Sequence, residues 1–302
     1  MEQRMKFEYF ILTLNEEKNI KECIESIQAI GGLNISILDG GSSDKTKEIS
    51  DKFDVNFLSF PGSSLSFRRG YAIDESNAEY VVFVDADQRL IKYEYDLEEA
   101  IDKYFIDDNK LSGLVFSKIT PKNSNYWERG FGLRHKIVAG DGKPQKVIGT
   151  PTVFKSKYGK EVGFNRDLEG SCDDTVFCDR LIKSGYTLRS MPQNATEIVR
   201  SSFKDTIKKA FWYGTGDSEY IKLYRETRYR HLFHVIVRMP IIHPFIVLFK
   251  KPSLVIFFII FVILILRGSF LKKKVFLLYF NSKIFIFSFM KKVFFSFLIN
   301  II

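Results

Sequence analysis

Cysteine and histidine are scarce in this 302-residue chain, and their positions exclude several classes of protein. The three cysteines, Cys23, Cys172 and Cys178, form neither a CxxC pair nor the framework of a disulfide-stapled domain. The four histidines show no metal-ligand spacing such as HExxH. No signal peptide precedes the first predicted strand. We therefore expect reduced thiols in the cytosol and neither a zinc module nor a secreted disulfide scaffold.

Acidic residues are absent from the last part of the chain. Residues 228–302 hold twelve Lys and Arg, fifteen of the thirty Phe, and no Asp or Glu. The formal charge of the whole chain is +9, which leaves −3 for residues 1–227. Positive charge combined with strong apolarity favours anionic lipid headgroups over nucleic acid as the partner. The composition predicts a membrane-associated apolar helical tail at 228–302.

The longest uncharged part of this tail is shorter than a membrane span. Ser253 to Leu266 is fourteen residues without a charge, which is about 21 Å of helix against about 30 Å of hydrocarbon. Extension back to Phe245 includes Lys250, Lys251 and Pro252. A kinked span, a hairpin and an interfacial helix all remain open, and a buried soluble core is the further alternative.

Apolar runs alternate with helical patterns in residues 1–227. Apolar runs rich in branched and aromatic residues predict strands, and apolar residues at helical spacing predict helices. The predicted strands are 7–14, 35–38, 55–60, 80–84, 113–119 and 186–191, and the predicted helices are 20–30, 45–53, 64–77, 173–184 and 204–213. This order predicts an α/β fold with a mostly parallel sheet flanked by helices.

Acidic residues follow the predicted strands, at the sheet edge where α/β proteins bind ligands. Asp85 and Asp87 are two residues apart after a continuous apolar strand, so in extended backbone they share a face. Two carboxylates on one face repel each other unless a cation lies near them, and hard oxygen ligands favour Mg²⁺ or Mn²⁺. The alternative is a helix cap at Asp85 and a solvated Asp87.

Two further acidic clusters permit a structural and a functional interpretation. The LDGGSSDKT stretch at 38–46 lacks the second glycine of a P-loop, and Asp44 precedes its lysine, so phosphate binding of that type is excluded. Asp39 at a strand end instead suits a nucleobase imide N–H, or only a turn and helix cap. Asp173 and Asp174 open a helix, where acids are favoured by the dipole.

Taken in order, these segments resemble glycosyltransferase family 2, the inverting enzymes with the GT-A fold, a Rossmann-like sheet. The resemblance covers about residues 7–215. Its four motifs are LTLNEE at 12–17, LDGGSSDKT at 38–46, Arg69 ahead of AEYVVFVDAD at 78–87, and CDDTVFCDRLIKSGY at 172–186. On the donor side the resemblance implies nucleotide contacts from Glu16, Asp39 and Arg69, and metal and diphosphate contacts from Asp85 and Asp87.

On the acceptor side the resemblance implies that Asp174 is the catalytic base. Asp173-Asp174 stands where the family usually has Glu-Asp, so Asp173 is the other candidate. Relatives also carry a histidine near the metal after the following strand, where this chain has Val199 and Arg200. Either the metal has one fewer protein ligand here or Arg200 contacts phosphate in its place.

The sequence therefore predicts an inverting glycosyltransferase that uses a nucleotide-sugar donor and Mg²⁺ or Mn²⁺. We expect a GT-A catalytic domain over 1–227, with a nucleotide-binding half near 1–118 and an acceptor half near 119–227. The tail would hold it at the cytoplasmic membrane face, close to a glycan or lipid-linked acceptor. The alternatives are a sugar nucleotidyltransferase, disfavoured by the lack of a G-x-G-x-R-type loop after the first strand, and a non-catalytic membrane-bound nucleotide-sugar-binding protein.

Overall fold

The computed structural model describes residues 5–119, 144–197 and 203–223, with isolated positions 124, 129 and 263. The strands in these ranges are β1 Phe7–Thr13, β2 Ile35–Asp39, β3 Asn56–Ser59, β4 Tyr80–Asp85, β5 Gln88–Leu90, β6 Leu111–Ile119, β7 Thr152–Lys155 and β8 Thr187–Glu197. The helices are α1 Ile20–Ala29, α2 Thr46–Ser50, α3 Leu65–Glu75, α4 Leu97–Asp107, α5 Ser156–Val162, α6 Asp173–Lys183 and α7 Phe203–Leu223.

One mixed sheet joins the eight strands in the order β3-β2-β1-β4-β7-β6-β8-β5. The first four strands in this order are all parallel. β7 is antiparallel to both of its neighbours, β4 and β6, and β5 is antiparallel to β8. The expectation of a mostly parallel sheet therefore describes the β3-β2-β1-β4 half, whereas the other half is mixed because β7 runs against its neighbours.

Apolar side chains cover both faces of the sheet. Along β1 the alternation sends Tyr9 and Ile11 to one core and Phe10 and Leu12 to the other. The first core takes its helical residues from α1 and α4, and the second takes them from α3 and α6. Burial on both faces explains why the β1 and β4 sequences are continuous apolar runs.

The parallel half brings three strand ends to one edge. Thr13 at the end of β1 pairs with Asp39 at the end of β2, and Leu12 pairs with Asp85 at the end of β4. Since the strands are parallel, their carboxyl ends face the same side of the molecule. The acidic clusters that follow β2 and β4 are therefore neighbours in space.

The predicted tail lies almost entirely outside the described residues. Of residues 228–302, only position 263 is described. Among the described residues, no helix combines the length and the apolarity needed to cross a membrane. The boundary near residue 118 stays a prediction, and strands from both sides of it share the one sheet.

Candidate active site

The loops that follow β1 and β2 are hydrogen-bonded to each other. Asn15 donates its backbone N–H to Ser42 Oγ at 2.8 Å, and its side-chain oxygen accepts from the Ser43 N–H at 2.9 Å. Glu17 donates its N–H to Asp44 Oδ2 at 3.0 Å. Asn15 has φ of +56°, which an Asn tolerates better than most residues. These hydrogen bonds join the two loops into one surface at the carboxyl ends of β1 and β2, the strand-end surface.

Asp39 is buried, and its carboxylate organises this surface. It accepts from the Gly41 and Ser42 N–H groups, both at 2.8 Å, from Thr13 Oγ1 at 3.1 Å and from Ser42 Oγ. Burial alone would raise the pKa of Asp39, but the hydrogen bonds from Ser42, Gly41 and Thr13 outweigh it and lower the pKa. Asp39 is therefore an ionised acceptor at neutral pH, held at the end of β2.

Glu16 and Arg68 lie beside the same surface. The half-buried Glu16 accepts from Asn19 Nδ2 at 2.7 Å and donates its N–H to Thr46 Oγ1 at 2.9 Å. The buried Arg68 donates to the backbone carbonyls of Thr13 and Leu38 at 2.8 and 2.9 Å. Arg68 was not predicted from the sequence, and it places a guanidinium between the ends of β1 and β2.

Asp85 is held at the end of β4 by three polar neighbours. Its Oδ2 accepts from Thr150 Oγ1, and Gln88 Nε2 lies 3.5 Å away. Its Oδ1 lies 3.6 Å from a terminal guanidinium nitrogen of Arg69. The buried Gln88 also donates to the backbone carbonyl and the hydroxyl of Thr150, both at 3.1 Å. The segment that precedes β7 is thereby tied to the first acid of the DAD motif.

The residues around Asp85 and Asp87 fit a divalent cation that is bound largely by substrate. The Asp85 side chain is 36% exposed, and Asp87 is half-buried. In the described ranges, no three His, Cys, Asp or Glu side chains are grouped to hold a metal ion. Mg²⁺ usually takes one or two carboxylates from the protein and completes its shell with phosphate and water. Two hard carboxylates at an accessible strand end meet that requirement.

Arg69 joins this strand end to the start of α6. Its guanidinium lies 2.6 Å from Asp173 Oδ2 and 3.6 Å from Asp85 Oδ1, and both Arg69 and Asp173 are buried. Burial would lower the pKa of Arg69, but the carboxylates of Asp173 and Asp85 raise it. The structure thus brings three of the predicted site residues together in one charged chain.

Asp174 lies at the first turn of α6, next to this ion pair. Its Oδ1 accepts from the N–H and the hydroxyl of Thr175, at 2.6 and 3.3 Å. Desolvation and the neighbouring Asp173 charge raise the pKa of Asp174 to about 6, although Arg69 and Thr175 act in the opposite direction. A carboxylate with a pKa near that value is a stronger base than an ordinary aspartate and is still ionised at neutral pH.

The segment 148–150 lies against Asp174 on one side and Asp85 on the other. A Cβ placed on Gly149 would be 3.4 Å from Asp174 Oδ2, so the backbone passes close to that oxygen. The Ile148 N–H donates to Cys178 Sγ at 3.5 Å, which fixes this segment to α6. Thr150, Gln88 and Cys178 therefore shape the site, but they were not predicted as site residues. For Gln88 alone the sequence holds a signal, because it directly follows Asp85-Ala86-Asp87.

Helix α7 packs on the loop that leads into α6. Glu219 accepts from the N–H groups of Glu169 and Gly170 at 3.1 and 2.7 Å. A Cβ on Gly170 would lie 2.6 Å from Gly216 Cα, so the loop and the helix touch through their backbones. Tyr220 donates its hydroxyl to Asp179 of α6. This packing holds the start of α6, and with it Asp174.

Of the predicted site residues, the structure links Asp85, Arg69 and Asp173 through ion pairs and has Asp174 next to Asp173 at the start of α6. Asp39 lies at the end of β2, and Glu16 lies in the loop after β1. Val199 and Arg200 lie outside the described residues.

The sequence profile of glycosyl transferase family 2 matches residues 9–162, which is half of the chain, and the chain belongs to this family. The match includes the strand-end surface and Asp85, and ends before α6. The matched region therefore contains the sheet edge at which Asp39 and Asp85 lie.

Curated relatives match parts of the chain. The "PGL/p-HBAD biosynthesis glycosyltransferase" of Mycobacterium tuberculosis (strain ATCC 25177 / H37Ra) is 28% identical over 140 residues, covering 42% of this chain and 52% of the relative. A "Teichoic acid poly(glycerol phosphate) polymerase" of Staphylococcus epidermidis is 30% identical over 119 residues, covering 36% and 16%. The chain thus spans about half the length of the mycobacterial relative.

Among solved structures, S. aureus TarS 1-349 superposes with a TM-score of 0.48 at 16% identity, covering 73% of each chain. The same protein in complex with UDP-GlcNAc superposes with a TM-score of 0.47 at 16% identity, covering 73% of this chain and 74% of that one.

Proposed function

We propose that this chain is an inverting glycosyltransferase with a GT-A catalytic domain, which moves a sugar from a nucleotide-sugar donor to an acceptor hydroxyl. The observation that carries this proposal is the chain of ion pairs from Asp85 through Arg69 to the buried Asp173. Asp174, a carboxylate of raised pKa, follows Asp173 directly, which supports a base close to the strand end where the donor diphosphate would bind. Membership of glycosyl transferase family 2 supports the reaction class.

Asp174 would act as the base in a single displacement. Its Oδ2 accepts no hydrogen bond from the described residues, whereas Oδ1 is occupied by Thr175. The acceptor hydroxyl would give its proton to Oδ2 while the hydroxyl oxygen attacks the anomeric carbon of the donor sugar. The nucleoside diphosphate would leave from the opposite face of that carbon. General base catalysis of this kind contributes about 10²–10⁴-fold.

A protein nucleophile is not needed for inversion. The three cysteines are buried, and burial raises the pKa of each thiol, so none is a thiolate at neutral pH. Cys178 instead holds the backbone of Ile148 beside the base. This supports a mechanism in which carboxylates do the chemistry.

Asp85 and Asp87 would hold Mg²⁺ or Mn²⁺, which when bound would offset the negative charge that grows on the departing diphosphate. Asp39 and Glu16 would line the nucleotide pocket at the ends of β1 and β2. For Asp39, a base contact would come from an ionised carboxylate whose orientation Gly41, Ser42 and Thr13 already fix.

The acceptor would be a glycan or a lipid-linked molecule at the cytoplasmic face of a membrane. The relatives named for PGL/p-HBAD biosynthesis and for teichoic acid polymerisation support an acceptor of this class. The basic, Phe-rich composition of 228–302 supports membrane proximity.

The test is turnover of a panel of nucleotide sugars by the purified full chain, with Mg²⁺ or Mn²⁺ present and with or without membrane lipid extract as acceptor. We expect release of nucleoside diphosphate from at least one donor, abolished by Asp174→Asn. In a parallel assay with added inorganic pyrophosphate, conversion of the nucleotide sugar and pyrophosphate into nucleoside triphosphate and sugar 1-phosphate would instead identify a nucleotidyltransferase. Binding without turnover of any donor would identify a non-catalytic binding protein.

A further inference from the structure

Arg69 occupies an unusual position for a residue expected to contact a nucleotide. Its two terminal nitrogens face two carboxylates, at 2.6 Å from Asp173 and 3.6 Å from Asp85. The side chain is 9% exposed, and its Nε is buried without a hydrogen-bond partner in the described part of the chain. The guanidinium therefore faces the buried Asp173 and the partly exposed Asp85, and these two acids set its orientation.

The two carboxylates belong to opposite sides of the proposed reaction centre. Asp85 ends β4, where donor diphosphate would bind, and Asp173 begins α6, one residue before the proposed base. Arg69 comes from a third element, α3, whose start is fixed by Ser64 accepting from the Phe67 N–H. A cation carried on α3 thus holds the two acid-bearing elements at a defined separation.

The burial of this ion pair makes its geometry energetically important. Asp173 is 2% exposed, so loss of the Arg69 charge would leave a carboxylate buried without its counter-ion. Breaking a buried pair from one side is far more destabilising than losing a surface pair. The start of α6 is therefore expected to shift or to repack when Arg69 is removed.

We propose that Arg69 is a positioning residue that fixes Asp173, and through it the base Asp174, relative to the Asp85 end of the donor site. This rests on the proposed function for the identity of the base. Arg69 then acts on the chemical step through its aspartate partners, without contacting the nucleotide.

The charges that face Asp174 give the proposal an electrostatic signature. Asp173 on α6 acts to raise the pKa of Asp174, and Arg69 on α3 acts to lower it. Thr175 donates to the carboxylate, Gly149 contributes only backbone, and the neighbouring Cys178 is a neutral thiol. Removing Arg69 should therefore raise the pKa of Asp174, and removing the Asp173 charge should lower it.

The kinetic test compares Arg69→Met, Arg69→Lys, Asp173→Asn and the double variant Arg69→Met/Asp173→Asn in the full chain, using the donor that the panel identifies. For Arg69→Met we expect kcat to fall about 10- to 100-fold, with donor KM changed less than about threefold. The acid limb of the pH profile should move to higher pH. It should move to lower pH in Asp173→Asn and return toward the wild-type position in the double variant, because opposite charges have been removed.

Arg69→Lys keeps the positive charge but not the two-pronged geometry, so we expect it to restore part of kcat. The matched control is Arg166→Met, which removes an arginine from an exposed pair with Asp74 on the same helix α3. It should leave kcat, KM and the pH profile unchanged. A large rise in donor KM for Arg69→Met, with kcat and the acid limb unchanged, would show that Arg69 is a nucleotide-binding residue.

A second measurement does not depend on turnover. The folded pKa of Asp174 is raised above its ordinary value, so the stability it contributes is fully present at low pH and lost as pH rises through about 6. The difference in melting temperature between each chain and its Asp174→Asn counterpart, measured against pH, isolates this titration. We expect its midpoint at higher pH in Arg69→Met than in the wild type.

The two measurements separate the two hypotheses. If no nucleotide sugar is turned over by the wild type, the proposed function fails, and the melting titration still decides whether Arg69 controls Asp174. If the Arg69→Met titration has the wild-type midpoint, Arg69 does not act on Asp174 and the positioning assignment is wrong. The double variant serves where Arg69→Met alone does not fold, since it leaves no unpaired buried charge at Asp173.

Discussion

Asp174 has the environment of a base at the scale of the single residue. Burial and the adjacent Asp173 charge raise its pKa to about 6, and the base must be ionised to take a proton. We therefore expect kcat/KM to fall as pH decreases through about 6, with a limb of slope one on the acid side. Initial rates between pH 5 and pH 8 check this. An acid limb near the ordinary aspartate value would contradict the assignment.

Replacement of the base should separate chemistry from binding. In Asp174→Asn we expect kcat to fall about 10²–10⁴-fold, because the amide cannot accept the proton. The affinity for nucleoside diphosphate, measured by calorimetry, should change little, because in the proposed mechanism Asp174 acts on the acceptor. Asp173→Asn is the comparison at the adjacent position, because Asp173 is the other candidate for the base. If Asp173→Asn is inactive while Asp174→Asn retains activity, the base is Asp173.

The acids after β4 should control metal-dependent donor binding. We expect Asp85→Asn and Asp87→Asn each to weaken binding of the nucleoside diphosphate of the donor that the panel identifies, in the presence of Mn²⁺, because an amide is a poorer ligand for a hard cation. Binding without the metal should be affected less. Asp54→Asn, outside the site, is the control. Calorimetric titration gives the affinities, and unchanged values in both site variants would remove the metal-site assignment.

At the scale of the element, the six predicted strands and five predicted helices are all present, whereas β5, β7, α4 and α5 were not predicted. β1, β4 and α6 fall within one residue of their predicted ends, because β1 and β4 are continuous apolar runs and α6 has apolar residues at helical spacing between its first acids and Gly185. β8 extends past its predicted end at Met191 to Glu197. Pro192 lies at an irregularity in the pairing of β8 with β6, where Phe116 pairs with Met191 and Ser117 with Asn194. A bulge thus absorbs a proline that normally ends a strand.

Two helices show what the patterns missed. Helix α4 was not predicted, although Asp96 caps it by accepting from the Glu99 N–H and its apolar residues recur every fourth position. Helix α7 continues to Leu223 rather than ending at residue 213. Gly216 does not break it, because the bare backbone at that position is where the loop before α6 packs.

The acids of the candidate site could be chosen from sequence because each follows a strand or opens a helix. Their connections could not. The contact of Thr150 with Asp85 depends on how the segment before β7 returns to the sheet edge. The pairing of Arg69 with Asp173 joins residues that are 104 positions apart. Neither contact produces a local pattern in the sequence, so the charged chain beside Asp174 is defined by tertiary packing alone.

The contact between α7 and the loop before α6 should be sensitive to a single methyl group. A Cβ at Gly216 would lie 2.3 Å from Ser171 Oγ and 2.6 Å from the Ser171 backbone nitrogen. The hydroxyl could rotate away, but the backbone nitrogen could not. Alanine normally favours a helix over glycine by about 1 kcal/mol. We nevertheless expect Gly216→Ala to destabilise the chain by about 1–3 kcal/mol. Urea unfolding measures this.

Thr215→Ala on the same helix is the matched control, since Thr215 Oγ1 donates only to the carbonyl of Trp212 in its own helix. Its effect should stay within about 0.5 kcal/mol. A Gly216→Ala chain as stable as the wild type would mean that α7 does not pack on the loop through its backbone.

At the scale of the whole molecule, the two parts of the chain carry opposite net charge. Residues 1–227 carry a net −3 and hold the acids of the candidate site, whereas 228–302 carry only positive charge among many Phe. A sheet-edge site and a basic apolar segment in one chain suit transfer to an acceptor that is itself at a membrane. Helix α7 packs against α6, which carries Asp174, and it precedes the basic segment along the chain.

This arrangement predicts how the chain partitions. Each basic residue near an anionic surface contributes about 1 kcal/mol, which high salt removes, and burial of apolar runs adds a part that salt does not remove. We expect the full chain to sediment with membranes and to resist high-salt washing. A chain truncated after Arg225 keeps α7, and it should stay soluble and still bind nucleoside diphosphate.

The control that changes charge alone is the Gln replacement of Lys272, Lys273 and Lys274, which should lower affinity for anionic vesicles but leave the chain membrane-bound. If the full chain is freely soluble without detergent, the membrane assignment is wrong, and the acceptor must then be sought among soluble glycans.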